Sequence, residues 1–340
     1  MLPTLDDIER AARIVYSVMP PTPQYCWPLL AERAGTEVWL KHENHTPVGA
    51  FKVRGGLVYF EDLARRGGAR GVVTATRGNH GQSIGLAARR YALPATIVVP
   101  YGNSVEKNAA MRALGVDLIE HGEDFQAARE FAQDLAREGS LHMVPSFHAL
   151  LVTGVATYSM EFLRAVPDVH TVYVPIGLGS GICGMIAARE ALGSSVKVVG
   201  VVSSHARAYA ASFTARRALD SPASTRLADG MACRVPEPDA LDIIWRAVDR
   251  IVEVSDDEVA AAMRAIFECT HNVAEGAGAA SVAAMFRERE RLKGSKVGCV
   301  ISGANVDRAL LAEVLGSSGG GGPPTAAARA RAADLPSGRS

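Results

Sequence analysis

The sequence predicts an α/β fold of two lobes, each a largely parallel twisted sheet flanked by helices. Two observations lead there. From Gly71 onward, short apolar runs alternate with amphipathic stretches, the pattern of parallel strands joined by right-handed helical crossovers. In addition, 340 residues that are 48% hydrophobic carry enough apolar surface to bury more than one core.

The elements follow in order. Residues 5–17 place apolar side chains at helical spacing behind a cap-like start at Thr4 and Asp6, and "TEVWLKHEN" reads as a strand. A first series then runs "GVVTAT" (strand), "GNHGQSIGLAARRYAL" (helix), "ATIVVP" (strand), "SVEKNAAMRALG" (helix), "VDLIEHG" (strand) and "DFQAAREFAQDLAREG" (helix). A second runs "LLVTGVATYSMEFLRAV" (helix), "TVYVPIG" (strand), "GSGICGMIAAREALG" (helix), "VKVVGVVS" (strand) and finally "KVGCVISGANVD", a strand entering a turn. The first series is expected to be inserted in the second. Residues 1–73 and 151–315 would form the large lobe, 74–150 the small one, and 316–340, rich in Gly, Ser, Pro and Ala, a disordered tail.

Composition narrows the function. With 36 basic and 36 acidic residues there is no global field to draw the chain to nucleic acid or anionic lipid, so neither is an expected partner. Cys26, Cys183, Cys233, Cys269 and Cys299 stand singly, with no CxxC pair, which argues against a disulfide framework or zinc site and for a reducing cytoplasm. The acidic N-terminal segment lacks a signal-peptide pattern, and no apolar run is long enough to span a bilayer. Small-molecule chemistry remains.

Four segments carry residues suited to it. In "PVGAFKVRGG", Lys52 follows Phe51 and is read as lying just after an apolar strand, beside a glycine-containing turn. Partial desolvation there lowers an amine's pKa and frees it for Schiff-base formation; the alternative is a surface lysine in a loop. In "PIGLGSGICGMIAARE", Gly177, Leu178, Gly179, Ser180 and Gly181 join a strand to a helix. Missing Cβ atoms let backbone N–H groups converge on an anion at a helix N-terminus, a cradle suited to a small monophosphate; the alternative is a tight connection. In "TATRGNHGQS", Thr76, Arg77, Gly78, Asn79 and His80 again open a helix at a strand's carboxyl end and are suited to hold a carboxylate, against the alternative of a capped helix with a solvent-facing histidine. In "CVISGANVD", Ser302 sets a hydroxyl at a strand's carboxyl end, where α/β sites collect, or simply caps it.

Together these four segments resemble the fold-type II pyridoxal-phosphate enzymes, the tryptophan synthase β-like family, and within it the serine/threonine dehydratases and serine racemases. The similarity extends from about Ile14 to about Leu315. It implies that Lys52, in "AFKVRG", holds pyridoxal 5'-phosphate through a Schiff base with Phe51 beside it. Asn79 would contact the cofactor's 3′ oxygen, the 177–181 loop its phosphate and Ser302 its pyridine nitrogen, while "VAEGAGAAS" places Glu275 near the ring. Residues Thr76 to His80 would bind the substrate carboxylate.

The departures from the family pattern are specific. Arg77 stands where racemases carry serine, which removes a hydroxyl from the second substrate face; it either clamps an acidic substrate or points to solvent. "TRLADG" keeps Asp229 but has Thr225 where a cation-binding carboxylate is expected, so a divalent or monovalent cation is left open. The resemblance implies β-elimination from a β-hydroxy-L-amino acid, threonine or serine by default. Alternatives are a dehydratase specialised for phenylserine, threo-3-hydroxyaspartate or a hydroxyectoine-breakdown intermediate, a serine racemase, or a non-catalytic binding protein. Homodimerisation is common in that family and is also left open.

Overall fold

The computed structural model describes residues 2–317. Its first helix, α1 (Leu5–Tyr16), is capped reciprocally by Thr4 and Asp7, so the second acidic residue of the pair 6–7, not the first, closes the box. The chain continues through β1 (Gln24–Cys26), α2 (Pro28–Ala34), β2 (Glu37–His42) and α3 (Lys52–Arg66). It then passes β3 (Val72–Ala75), α4 (Asn79–Arg90), β4 (Ala95–Val99), α5 (Val105–Ala113), β5 (Asp117–Glu120), α6 (Phe125–Glu138) and β6 (His142–Met143). Next come α7 (Ala149–Ala165), β7 (Thr171–Pro175), α8 (Ser180–Ala191), β8 (Lys197–Ser203), α9 (Ala208–Ala215) and α10 (Pro238–Ala247). The described chain closes with β9 (Arg250–Val254), α11 (Asp256–Thr270), α12 (Gly276–Arg287), β10 (Lys296–Ile301) and α13 (Arg308–Gly316). Gly316 thus ends a helix that Ser317 caps, against the expected start of a tail at 316; residues 318–340 lie outside the described ones.

Two sheets form. A six-stranded sheet has the order β1-β2-β10-β7-β8-β9 and is parallel except for β1 against β2; a four-stranded parallel sheet has the order β5-β4-β3-β6. Alternation along the buried strands explains the layering. Val172, Val174, Val198 and Val202 face a core shared with Ile182, Met185 and Ile186 of α8, whereas Tyr173, Val199 and Val201 face one shared with Ala279, Val282 and Ala283 of α12. The four-stranded sheet has its own core, with Val72 and Ile97 packed among Ile84 and Ala87 of α4 and Met111 of α5.

Lys52 does not follow a strand. Nine residues lie between the end of β2 and Lys52, which is the first residue of α3, so Gly55 and Gly56, read from sequence as part of a turn, lie inside a helix. They serve close packing. A Cβ at Gly56 would stand 2.3 Å from Ser83 Oγ of α4, one at Gly55 would stand 2.8 Å from the Leu151 carbonyl of α7, and one at Gly154 of α7 would stand 2.3 Å from the Arg54 carbonyl. Helix α3 is therefore held between α4 and α7 at distances only glycine permits.

Beneath it lies a buried ion network. Arg54 donates from Nε to Glu43 Oε2 (2.7 Å), and from Nη1 to Glu161 Oε1 (2.6 Å) and Thr157 Oγ1 (2.9 Å). Lys41 Nζ donates to Glu161 Oε2 (2.6 Å) and the Thr22 carbonyl (2.7 Å). Arg54, Lys41 and Glu43 are fully buried and Glu161 nearly so.

Two stability outcomes are expected. Gly154→Ala should destabilise by about 1–3 kcal/mol because the Arg54 carbonyl is backbone and cannot step aside. Arg54→Met should cost about 3–5 kcal/mol by leaving two buried carboxylates short of a partner. Urea unfolding of each variant checks both, and wild-type midpoints in either would contradict the packing described.

Candidate active site

Strand ends assemble the site. Strands β10 and β7 are parallel neighbours, and the register that pairs Cys299 with Tyr173 sets Ser302 opposite Ile176, one residue before Gly177. Helix α3 is stitched to the same place: the Phe51 amide donates to the Ser302 carbonyl (3.0 Å), Ala50 bridges Gly303, and the Ala304 amide donates to the Gly49 carbonyl (2.9 Å). Gly49 needs its freedom, since it takes φ +66° and its missing Cβ leaves room for Asn305 Oδ1 at 2.8 Å. Lys52 and Ser302, 250 residues apart in the chain by number, are thereby fixed side by side.

The Lys52 ammonium sits 4.7 Å from the centre of the Phe51 ring, on a partly covered side chain. Burial pushes its pKa down to about 8, while the Glu275 carboxylate pulls it the other way. The amine is thus desolvated as the first of the two sequence readings has it, not a surface lysine, and is half neutral near pH 8.

The glycine loop lies against the same ring. A Cβ at Gly181 would stand 3.7 Å from Phe51 Cζ, an ordinary contact. Gly177 and Gly179 are tighter. A Cβ at Gly177 would meet the Gly230 carbonyl at 2.4 Å, and Gly179 takes φ +102° with its virtual Cβ 2.6 Å from Ala240 Cβ. Ser180 begins α8 with Gly179 as its cap, which turns the first N–H groups of a 12-residue helix toward the strand ends. Tyr209 braces the loop by donating from its hydroxyl to the Leu178 carbonyl (2.9 Å).

The third segment joins from the four-stranded sheet. Asn79 is the first residue of α4; its Nδ2 donates to Glu275 Oε1 (2.6 Å), and its Oδ1 accepts from Asn305 Nδ2 (2.8 Å). Thr76 is buried and its Oγ1 accepts from the Gly78 amide (3.0 Å), which shapes the loop. His80 is buried instead of solvent-facing, and burial beside Lys52 holds its imidazole neutral with a pKa down to about 3. Arg77 is exposed. Glu275 is buried, and the loss of solvation, opposed by Lys107, raises its carboxyl above the usual range.

Asp229 is engaged elsewhere than in a cation site: it accepts from Lys107 Nζ (2.6 Å), while Thr225 donates to Asp256 (2.6 Å). Among the described residues, no group of three or more His, Cys, Asp or Glu side chains is placed to hold a metal ion. Sequence reasoning missed Lys107, Asn305 and Tyr209. Lys107 left a trace, since a cation in the first turn of a helix opposes the macrodipole and calls for nearby carboxylates. Asn305 and Tyr209 left none beyond lying in or near segments already singled out.

Comparison with known proteins gives this geometry its family. The profile described as "Pyridoxal-phosphate dependent enzyme" matches residues 16–303. The chain belongs to the pyridoxal-phosphate dependent enzyme family. It is 36% identical over 305 residues to the L-threonine ammonia-lyase of Thermotoga maritima, covering 89% of this chain and 76% of that protein. In structure it is similar to the processed form of threonine deaminase isoform 2 from Solanum lycopersicum (TM-score 0.84, 27% identity, 93% of this chain and 95% of that one). It is also similar to maize serine racemase (TM-score 0.86, 25% identity, 92% and 97%). The two-lobed α/β fold expected from sequence is that of these pyridoxal-phosphate enzymes of fold type II.

The residues fit the family's cofactor. A withdrawn amine, a helix N-terminus led by glycines and a strand-end hydroxyl converge, and two buried polar atoms at the same place, His80 Nε2 and Glu275 Oε2, have no hydrogen-bond partner within the protein. Such atoms are costly unless a further polar group completes them.

The two titrations give opposite signs. Glu275, raised in the fold, keeps its proton where the unfolded carboxyl has lost it, so the cofactor-free protein loses stability as pH rises from the unfolded carboxylate range through the folded pKa. Glu275→Gln should flatten that limb and, by removing the carboxylate that favours the Lys52 cation, lower the Lys52 pKa below about 8. Urea unfolding across pH and the pH dependence of Lys52 reductive methylation in cofactor-free protein check the pair. An unchanged Lys52 profile in the variant would break the link between them.

Proposed function

We propose that this chain is a pyridoxal-phosphate dependent dehydratase, an ammonia-lyase that eliminates water from a β-hydroxy-L-amino acid, L-threonine or L-serine, and releases a 2-oxo acid and ammonia. The supporting observation is that Lys52, the α8 N-terminus, Asn79 and Ser302 are linked by direct contacts through Phe51, Glu275 and Gly303, in a chain 36% identical to an L-threonine ammonia-lyase.

On this reading Lys52, Phe51, Asn79, Glu275 and Ser302 surround the cofactor, and the loop from Gly177 through Leu178, Gly179 and Ser180 to Gly181 receives its phosphate. Pyridoxal phosphate, when bound, supplies an aldehyde that condenses with amines and a conjugated ring that accepts the electrons of a breaking Cα–H bond. The protein's own groups do the rest. Backbone N–H groups at the start of α8 neutralise the phosphate without a lysine or arginine. The 76–80 loop, opening α4, grips the substrate carboxylate and so fixes the direction of the Cα–H bond. Lys52, whose amine is partly neutral near pH 8, takes the α-proton as general base. The β-hydroxyl leaves with its bonding electrons and takes up a proton to depart as water; the released enamine is protonated on carbon to an imine, which water hydrolyses to the 2-oxo acid and ammonia.

Ser302 favours that outcome. A hydroxyl does not enforce a positive charge on a ring nitrogen as a carboxylate would, so the electron sink is weaker and early loss of a β-substituent suits it better than a long-lived carbanion. Arg77 stands where a racemase carries serine, which supports elimination over inversion. The five free cysteines support residence in a reducing compartment, and no helix among the described residues is long and apolar enough to cross a membrane.

Purified holoenzyme should convert L-threonine and L-serine to 2-oxo acid and ammonia in equal amounts, and Lys52→Ala should reduce turnover by about 10²–10⁴-fold or more. Borohydride reduction and peptide mapping should place the pyridoxyl label on Lys52. Formation of D-serine without pyruvate would overturn the assignment, and side-by-side kcat/KM values for phenylserine and threo-3-hydroxyaspartate separate a specialised dehydratase from a general one.

A further inference from the structure

The start of α5 contacts segments from both sheet layers. Ser104 caps the helix and its hydroxyl also donates to Asp307; Glu106 accepts from the Arg308 amide (3.0 Å); and Lys107 donates to Asp229 (2.6 Å) and lies 3.9 Å from Glu275 Oε2. Three polar anchors at the start of a helix of the four-stranded sheet, Ser104, Glu106 and Lys107, therefore seat on segments around the six-stranded one.

Lys107 does more than join them. Its stem lies directly on Gly78, where a Cβ would stand 2.5 Å from Lys107 Cδ and 3.3 Å from Cγ, so it forms the backing of the 76–80 loop. The side chain is buried, and its ammonium is set in front of two carboxylates, Asp229 and Glu275. Without that charge, both would repel an anion entering the loop. Its place in a helix's first turn, against the macrodipole, is offset by these carboxylates and by Asp307.

We propose that Lys107 is a positioning residue for the substrate carboxylate: it holds the Gly78 backbone in place and cancels the charge of Asp229 and Glu275 behind it. The proposal rests on the assignment of the 76–80 loop to carboxylate binding. It predicts a selective defect. Removal of Lys107 weakens ligands that carry a carboxylate and spares those that carry only an amine, with cofactor affinity retained.

The test compares L-alanine, an amino acid with no β-leaving group, with ethylamine, which lacks the carboxylate, by calorimetric titration of the holoenzyme. In the wild type, L-alanine should bind more tightly. Lys107→Met should weaken L-alanine by about 10- to 100-fold, the scale of a lost charge-assisted contact, and leave ethylamine within about 2-fold. The apparent KM for L-threonine should rise correspondingly. Lys107→Gln, which keeps the stem on Gly78 and removes only the charge, should act in the same sense and more weakly, and it carries the test if Lys107→Met does not fold. Should the wild type not favour L-alanine, the carboxylate assignment of the loop fails and this inference with it. Should the wild type favour it and both variants keep the full preference, the inference alone fails; equal loss of both ligands also overturns it, as the mark of general disruption.

Discussion

The structure turns on the ion network around Arg54. Two cations and two carboxylates are buried together where the end of β2, the first turn of α3 and the middle of α7 meet. Charges withdrawn from water are tolerated only when every partner is in place, so the cluster admits one arrangement of the three elements. Arg54 is two residues from Lys52. The direction in which the lysine leaves the helix is consequently set by an interaction on the protected side of α3, and the glycines at 55, 56 and 154 let the neighbouring helices approach closely enough to keep it there.

On the open side the electrostatics are reversed. Lys52 is offered an aromatic face and a single distant carboxylate instead of a close ion pair, and its pKa falls accordingly. Glu275, in turn, shares its charge among Asn79, Lys107 and the lysine amine without a full partner in any of them. Within one helical turn the protein stabilises a guanidinium completely and an ammonium poorly. The first contrast secures the scaffold and the second leaves the amine reactive.

Much of this was legible in the chain. The alternation from Gly71 gave β3 through α6 and β7 through β8 because buried parallel strands are short apolar runs and their crossover helices are amphipathic. The segments around Lys52, Asn79, Gly177 and Ser302 announced themselves because each combined a reactive or glycine residue with a strand end or a helix start. Helix α3 was not recognised, since two adjacent glycines after a proline and another glycine mimic a turn; only the contact of Gly55 and Gly56 with α7 and α4 shows why a helix keeps them. The Asn79–Glu275, Asn79–Asn305 and Lys107–Asp229 contacts span 196, 226 and 122 residues, and no local pattern encodes a pairing over such separations. Asp229 illustrates the cost: as a lone carboxylate it left a cation open, and nothing near it in the chain pointed to its pairing with Lys107 of α5.

The strand order has a further consequence for biosynthesis. Strand β10 lies between β2 and β7, yet it is the last of the described strands to be made. While the ribosome is still working, β2 and β7 have no neighbour to bridge them, and the six-stranded layer stays split in two until residue 301 emerges. The four-stranded layer, whose strands all lie between residues 72 and 143, is available for assembly much earlier. A nascent chain halted before β10 would therefore expose two unsatisfied strand edges, the kind of surface that chaperones cover and that aggregates seed from.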